Sequence, residues 1–554
     1  MSLFPLTAAA FASLPGAEAE AAWAHLIQLE ASFSTAGRRR NHLPGPGPWP
    51  GIPGQGRGRG EKEGSLSTGQ DEFDVIVAGG GLSLVYAAVL ARAGLRVCVF
   101  DRRRIGCGHR EWNISRRELE PLVASGLFSD AEVERLILTQ YRVGVCRFAG
   151  RGGAPGTNLE VRGVLDCVVD TAALLDGLRS RALAAGATLL DGHALVGYRV
   201  QADGVSVLVE PAAAGGAGPG FGPGPGLGPQ RWLRARLLLD GLGAGSPHAR
   251  FDLCCPTVGG VMDGLAIGRG LRELDPGVGE ILVTTEGVED GQQHIWEGFP
   301  APSGHASGRP ELGPSDRMTI YLFYYQRAEQ VAAAVASDGH PLLMLYERFF
   351  ATLPRYKVGP GGRPLRFAKP TYGYIPAYSR LRNMPASPEA RVLLVGDAAA
   401  RHSPLTFCGF GSMIRSFWPM SQGIVRCLRE DRLRQPDLDG LWRTPGMEPP
   451  ALQVMGGLTL MMMPPPGGLL EDPDSINELL GAAFSSLAEL GEDVYAAFLQ
   501  DSVDARTFIG FMWEAARRYP SVYRKVFENL TPIEIATWLK RLMNFRLSSA
   551  SRAV

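Results

Sequence analysis

Three consecutive glycines, Gly79, Gly80 and Gly81, are followed 22 residues after the first of them by Asp101. Bare glycine backbone lets a pyrophosphate come close, and a helix N-terminus behind it supplies N–H donors and a positive field. An acid about 20 residues further on accepts the ribose hydroxyls of a dinucleotide. The elements that would position these groups are legible around them. Asp74–Ala78 is a short apolar run that reads as a buried parallel strand. Leu82–Ala93 has helical spacing and stops at Gly94, and Leu95–Phe100 is a second strand closed by Asp101. One position departs from G-x-G-x-x-G: the last glycine is Leu84, which predicts a slightly wider spacing between helix and strand. The stretch reads as a dinucleotide-binding βαβ unit.

Two further stretches extend this reading. Arg391–Met413 (RVLLVGDAAARHSPLTFCGFGSM) is a strand-like run that delivers Gly396-Asp397, then Pro404, then Gly409, Phe410, Gly411 and Ser412 at the start of a helix. This order is similar to that of two-domain flavoproteins of the hydroxylase type. There the Gly-Asp holds the ribityl chain, and the glycines let backbone N–H groups approach the flavin ring. A helix N-terminus at that point stabilises negative charge on a reduced flavin. Asp240–Arg250 (DGLGAGSPHAR) resembles the D-G-x(4)-S-x(3)-R element that braces the nucleotide-binding half of the same class. Three elements in this order point to FAD rather than NAD.

The chain has 554 residues, enough for two or three hydrophobic cores. Its formal net charge is zero, so a nucleic-acid partner has no electrostatic support. The eight cysteines form no C-x-x-C pair, which predicts reduced thiols with neither a zinc site nor a disulfide framework. No apolar run reaches the ~18 residues of a spanning helix, so the chain is expected to be soluble or surface-bound.

Along the chain, residues 1–70 read as a flexible extension with one short helix, Ala17–Ala31, carrying Trp23, Leu26 and Ile27 on one side. A Gly/Pro linker comes next at Pro44–Gly60. The first 37 residues hold three glutamates and no Arg or Lys, a poor match to a transit peptide, so targeting and plain extension both stand. Residues 71–255 read as the first part of an FAD-binding domain, with an insertion of Gly, Pro and Ala at 212–230 at a hairpin tip. Ser129–Glu132 is a capping box that opens a helix. Residues 256–385 read as an antiparallel roof and substrate domain, 386–430 as the second part of the FAD-binding domain, and 431–554 as a helical region. The fold class is α/β, a Rossmann-type, hydroxylase-like FAD-binding fold of two layers with an antiparallel roof sheet.

Four segments carry a closer likeness. Arg110–Leu119 (REWNISRREL), Asp240–Pro247, Ile295–Ala301 (IWEGFPA) and Gly396–Ser412 resemble the CruA/CruP-type lycopene cyclases, nearer the CruP branch. Those are flavoproteins of cyanobacteria and plastids. The run R-E-W-N-I-S-R-x-E-L at Arg110–Leu119 is its most specific part. The likeness spans about residues 70–545 apart from two Gly/Pro insertions, and departs at Gly81, Leu84 and Gly241. It implies a chloroplast location, a hydrophobic polyene substrate and noncovalent FAD, with NAD(P)H as a possible flavin reductant. Residues implied at the cofactor are Gly79, Gly80, Gly81, Asp101, Arg102, Arg110, Asp240, Gly396, Asp397, Pro404, Gly409, Phe410, Gly411 and Ser412.

The reaction implied is a cyclisation without net redox change. An acid protonates the terminal alkene, the cation closes a ring and a base removes a proton. Reduced FAD then acts as an electrostatic stabiliser. Protonating an alkene needs a buried Asp or Glu that keeps its proton. Glu297, in the aromatic setting HIWEGFP, is the first candidate and Glu111 the second. Alternation along a strand sets Glu297 opposite to Trp296, with the carboxyl toward the flavin cleft. Tyr321, Phe323, Tyr325, Tyr372 and Tyr374 either line a polyene tunnel or fill a core. Ala451–Met463 and Trp538–Leu547 either touch a membrane surface or pack internally. An FAD-dependent monooxygenase or halogenase shares the three FAD elements, although the halogenase pattern W-x-W is absent here. A carotenoid- and flavin-binding protective protein without catalysis is the third reading.

Overall fold

The computed structural model describes residues 3–550 except 42–71, 109, 155, 213–228, 302–314, 338, 383, 385, 386, 404, 406–408, 445, 446, 450 and 466–471. The linker Pro44–Gly60, Pro404, Cys408 and most of the 212–230 insertion therefore lie outside the described residues. The strands that flank this insertion, Val205–Pro211 and Arg231–Asp240, are antiparallel neighbours.

The first sheet has seven strands. Glu72–Ala78 lies between Val97–Asp101 and Arg231–Asp240, parallel to both. Thr188–Asp191 extends the sheet beyond Val97–Asp101, and Val392–Leu394 runs parallel to the end of Arg231–Asp240. Strand register aligns the ends of these strands. Ala78 sits opposite Phe100 and Asp240, and Asp240 opposite Leu394. The three parallel strands that carry the glycine motifs therefore finish level with one another. Gly79, Asp101, Gly241 and Gly396 emerge at a single edge, the carboxyl end where open α/β sheets bind ligands.

The roof is an eight-stranded sheet. Its centre is Leu253–Asp263, Met318–Phe323 and Ile295–Pro300, with Arg366–Ala377 as an edge on Leu253–Asp263. Two roof strands, Val143–Phe148 and Thr157–Val161, come from before residue 256. Val143–Phe148 joins by pairing in parallel with Val278–Val283, so the roof is not built from 256–385 alone and is not wholly antiparallel. A third, three-stranded sheet holds Trp112–Ile114 against Cys167–Val169, with Ile137–Gln140 beyond. Ser129 caps the helix Asp130–Leu136 through the reciprocal Ser129–Glu132 box.

The outer face of the roof is covered by the helix Pro341–Tyr356 and by two N-terminal helices, Pro5–Ala12 and Gly16–Asn41. This departs from a flexible extension. Phe11, Leu14, Ala22, Leu26 and Phe33 are buried in the roof core, whereas Ile27 is 39 % exposed. Each side caps the other. The Glu30 carboxylate accepts the N–H groups of Leu342 (2.6 Å) and Leu343 (3.2 Å), and Glu347 accepts those of Leu6 and Thr7 (both 3.0 Å).

The inner face of the roof packs against the C-terminal helices. Leu452, Val454, Met455 and Leu458 are fully buried there, and Trp538 Nε1 donates to the Val454 carbonyl at 3.0 Å. The Ala451–Met463 stretch is thus core rather than a membrane-facing segment. Among the described residues no helix is long and apolar enough to cross a membrane.

Candidate functional site

The glycine loops meet by close backbone approach. Gly79 is left-handed (φ +103°), and a methyl group built on it would lie 2.5 Å from the Gly241 carbonyl oxygen. A methyl on Gly80 would lie 2.6 Å from the Ile105 side chain. On Gly81 it would meet nothing within 4 Å, so this position faces open space beside the loop. The Leu84 departure is resolved one residue earlier. The Ser83 hydroxyl donates to the Gly79 carbonyl, and a methyl on Gly241 would sit 2.9 Å from Ser83 Cβ. Close packing has moved to the Ser83–Gly241 contact, which explains glycine at 241, and Leu84 is free to fill the core.

Asp101 Oδ2 accepts the Gly80 N–H at 2.7 Å and Oδ1 accepts the Arg103 N–H at 2.8 Å. Each oxygen keeps a lone pair for a ribose hydroxyl. Arg102 is exposed beside it. Arg110 lies across the roof strand Arg366–Ala377, where a methyl on Gly373 would be 2.3 Å from its Nη2. Among the described residues neither guanidinium has a carboxylate partner. Asp240 differs from a cofactor contact. It is buried, accepts from Ser246 Oγ at 2.5 Å and from the Leu242 N–H at 3.1 Å, and braces its own loop.

The second half of the site is continuous with the first. Gly396 is left-handed (φ +58°) and starts the turn that presents Asp397. A methyl on Gly243 would lie 3.8 Å from Asp397 Cβ, and one on Gly409 would lie 2.9 Å from Asp397 Oδ1. Asp397 therefore stands between the 241–245 loop and the helix Gly409–Arg429. The first N–H groups of that helix, from Gly409 to Ser412, have no intrahelical acceptor. Gly411 packs on Glu118, whose carboxylate would be 2.9 Å from a methyl there and which also pairs with Arg415.

The segment Arg110–Leu119 ties these parts together. Trp112 stacks on Phe410 with ring centroids 4.7 Å apart and planes at 23°. Asn113 Nδ2 donates to Glu297 Oε1 at 2.9 Å. Ser115 and Glu118 form a capping box. Asn113, Glu118 and Arg415 were not singled out from sequence, although the first two lie inside its most specific motif.

Glu297 sits opposite Tyr321 on the inner face of the roof. It keeps partial accessibility although protein surrounds it. Burial pushes its carboxyl up to about 7, against the Asn113 hydrogen bond, which favours the ionised form. Trp296 faces the other way and stacks on Tyr356 at 4.6 Å. Glu111, by contrast, is ion-paired with Lys369, and its carbonyl accepts from Tyr321 Oη at 2.9 Å.

The five aromatics separate into two groups. Tyr321, Phe323 and Tyr325 share the inner core, and Tyr325 Oη donates to the Leu405 carbonyl at 2.8 Å. Tyr372 and Tyr374 point outward, because they alternate with Gly373. Tyr372 Oη donates to the Ala22 carbonyl at 2.9 Å, and Tyr374 stacks on Phe33 at 4.1 Å. They hold the N-terminal helix and line no inner tunnel.

The open space at Gly81, the two guanidiniums and the N-terminus of the Gly409 helix suit a dinucleotide whose ring end reaches that helix.

No family model matches the chain, and no curated protein does. Solved structures match it along most of its length. A geranylgeranyl bacteriochlorophyll reductase-like protein from Thermoplasma acidophilum shares 15 % identity, covers 83 % of this chain and 100 % of its own, and gives a TM-score of 0.50. The halogenase PltM, in complex with phloroglucinol and FAD, shares 14 % identity, covers 87 % of this chain and 93 % of its own, and also gives 0.50. At such identities the likeness speaks for architecture alone: the chain has an α/β, Rossmann-type FAD-binding fold of the hydroxylase and halogenase kind.

Proposed function

We propose that this chain is an FAD-dependent enzyme of lycopene cyclase type that protonates a hydrophobic polyene. The observation that carries the reading is Glu297. Its carboxyl lies on the inner face of the roof, is pushed up to about 7 by burial, and is linked through Asn113 to the Trp112–Phe410 stack on the flavin-binding loop. A group of this kind still holds a proton near neutral pH and can deliver it to an alkene. FAD is supported by the convergence of Gly79, Asp101, Asp397 and Gly409 and by the fold shared with an FAD-bound halogenase.

The chain's residues divide the work. Gly79–Gly81, Arg102 and Arg110 hold the pyrophosphate, Asp101 the adenosine ribose, and Asp397 with Gly409–Ser412 the ribityl and ring end. Bound and reduced, the flavin supplies negative charge that favours a cationic polyene. Tyr321 and Phe323 offer π-faces to that cation, and Glu297 moves the proton. The FAD is noncovalent in this reading, so acid precipitation is expected to release the yellow colour into the supernatant. A membrane surface as the source of the polyene is supported by Trp513 (75 % exposed) and Met543 (61 % exposed) on the C-terminal helices. A plastid location rests on the family resemblance alone.

A second reading, an FAD-dependent monooxygenase, is favoured by the halogenase likeness. It requires NAD(P)H and O₂ to be consumed with substrate. Expression in lycopene-accumulating bacteria separates the readings. Wild type yields cyclic pigment and Glu297→Gln does not; oxygenated pigment supports the monooxygenase, and unchanged lycopene supports a binding protein without catalysis.

A further inference from the structure

Between the helix Pro532–Ala550 and the loop at Leu381 and Arg382 lies a cavity of about 690 Å³. Arg382, Thr537, Lys540, Arg541 and Asn544 are on its walls. The four helix positions recur at steps of three and four, so they share one side of the helix. The charge of this lining is uneven. Its one carboxylate, Glu534, is held by both Nη atoms of Arg327 at 3.0 and 3.1 Å. Arg382 stands between Glu534 (3.4 Å) and Glu329 (3.8 Å). Lys540 and Arg541 form no ion pair among the described residues, and Arg541 donates to the neutral side chain of Gln453. Glu448, which acts on Arg541 from further off, is already paired with Arg380 (3.3 Å) and Arg401 (3.2 Å). Two cations thus line a hollow with room for a group of several atoms, and no anion of the protein is left to meet them. The chain as a whole has zero formal charge, so attraction to an anionic partner has to come from a local patch of this kind.

The surface beside the cavity is apolar. Ile533, also in the lining, is 79 % exposed, and Met543, one turn beyond Lys540, is 61 % exposed. Trp513, on the neighbouring helix Ala505–Arg518, is 75 % exposed. Exposed apolar side chains around unpaired cations match a lipid surface, where the first enter the acyl boundary and the second meet phosphates. We propose that this cavity seats the phosphate headgroup of an anionic phospholipid and sets the C-terminal helices on the bilayer. Lys540 and Arg541 donate to the phosphate oxygens, and Thr537 and Asn544 hydrogen-bond the polar remainder of the headgroup. The inference rests on the membrane as the source of the polyene and adds to it the lipid recognised and the residues that recognise it.

Full-length protein titrated with vesicles of phosphatidylcholine, with vesicles of phosphatidylcholine and phosphatidylglycerol, and with inorganic phosphate tests this. Co-sedimentation reads the vesicles and calorimetry the phosphate. Wild type is expected to bind the phosphatidylglycerol vesicles about tenfold or more tighter than the neutral ones. Lys540→Glu, at an exposed position, should remove most of that difference. Asn544→Trp keeps every charge but fills the cavity, and should weaken binding severalfold. Arg199→Glu, on the edge strand His193–Val200 of the first sheet, changes the net charge as much as Lys540→Glu and should leave binding unchanged. Wild-type binding by either cavity variant, with melting temperatures showing it folded, overturns the proposal. So does an equal loss in Arg199→Glu, which marks diffuse attraction. Uptake of inorganic phosphate without uptake of vesicles overturns it too, because the cavity then serves a free anion. Equal binding to both kinds of vesicle keeps the membrane as the source of the polyene and overturns this site alone; binding to neither overturns both.

Discussion

The amide of Asn113 donates to Glu297 Oε1 across 2.9 Å and joins the motif Arg110–Leu119 to the roof sheet. That bond opposes the burial that keeps Glu297 protonated. Replacing Asn113 with Leu removes a donor that favours the ionised form, so the carboxyl should titrate higher. The alkaline limb of the activity profile, governed by loss of the Glu297 proton near pH 7, should move to higher pH. A limb that stays in place in Asn113→Leu would detach this pair from the chemistry.

Glu297 also sets a stability signature. In the folded chain it holds its proton to about pH 7, against an ordinary value of 4.5. Between these values the folded state carries the extra proton, so stability falls as pH rises through this window and levels off above it. Glu297→Gln has no proton to lose. Wild type and variant should unfold alike near pH 4, and the variant should be more stable at pH 8 by up to roughly 3 kcal/mol. Urea unfolding at both pH values measures this, and a variant weakened equally at the two would contradict it.

Gly241 and Ser83 are predicted to couple. A methyl at 241 would press on Ser83 Cβ at 2.9 Å and on the Ala78 carbonyl at 3.1 Å. Gly241→Ala should therefore destabilise by about 1–3 kcal/mol, the range for overpacking. Ser83→Gly added to it should recover part of that loss. Thermal melts of the two single variants and the double variant give the coupling; strict additivity would show that the contact is unimportant.

The Trp112–Phe410 stack is expected to order the flavin-binding loop. Such pairs are worth about 0.5–1.5 kcal/mol beyond their burial. Trp112→Ala should weaken FAD by up to about tenfold through a faster off-rate, with little change in melting temperature of the flavin-free protein. Stopped-flow release of FAD measures it.

The N-terminal helices are predicted to stabilise the roof. Glu30 serves two amides and His340 at the start of the helix Pro341–Tyr356. Glu30→Ala should cost about 1–3 kcal/mol by leaving those buried donors unmet. Hydrogen exchange at Leu342 and Leu343 reads the loss directly.

Much of the nucleotide half was legible in the sequence because its signals are local. A strand, a glycine turn, a helix and a terminal acid occupy Asp74–Asp101, and strand register alone brings the other glycine loops to the same edge. The roof was harder to read. Arg366–Ala377 contains Pro370, Gly373 and Pro376, which look like breakers, yet an edge strand tolerates them. Leu253–Asp263 needs Gly259 because a methyl there would lie 2.0 Å from the Ile320 carbonyl, a neighbour that no local pattern reveals. The outward turn of Tyr372 and Tyr374 depends on the Gly16–Asn41 helix, some 350 residues earlier in the chain. Glu111 and Glu297 look alike in sequence, and only the Lys369 ion pair at the first and the burial of the second tell them apart.

The most direct test of the central claim is turnover in D₂O. Purified protein with chemically reduced FAD is given lycopene in liposomes, without O₂ and without NAD(P)H, and the pigment is analysed by mass spectrometry. The expected outcome is a cyclic product carrying one solvent deuterium per ring, flavin still reduced at the end, and no product with Glu297→Gln. Cyclic product from Glu297→Gln at the wild-type rate would contradict the role of Glu297. Product that appears only with O₂ and NAD(P)H would contradict the cyclase reading itself.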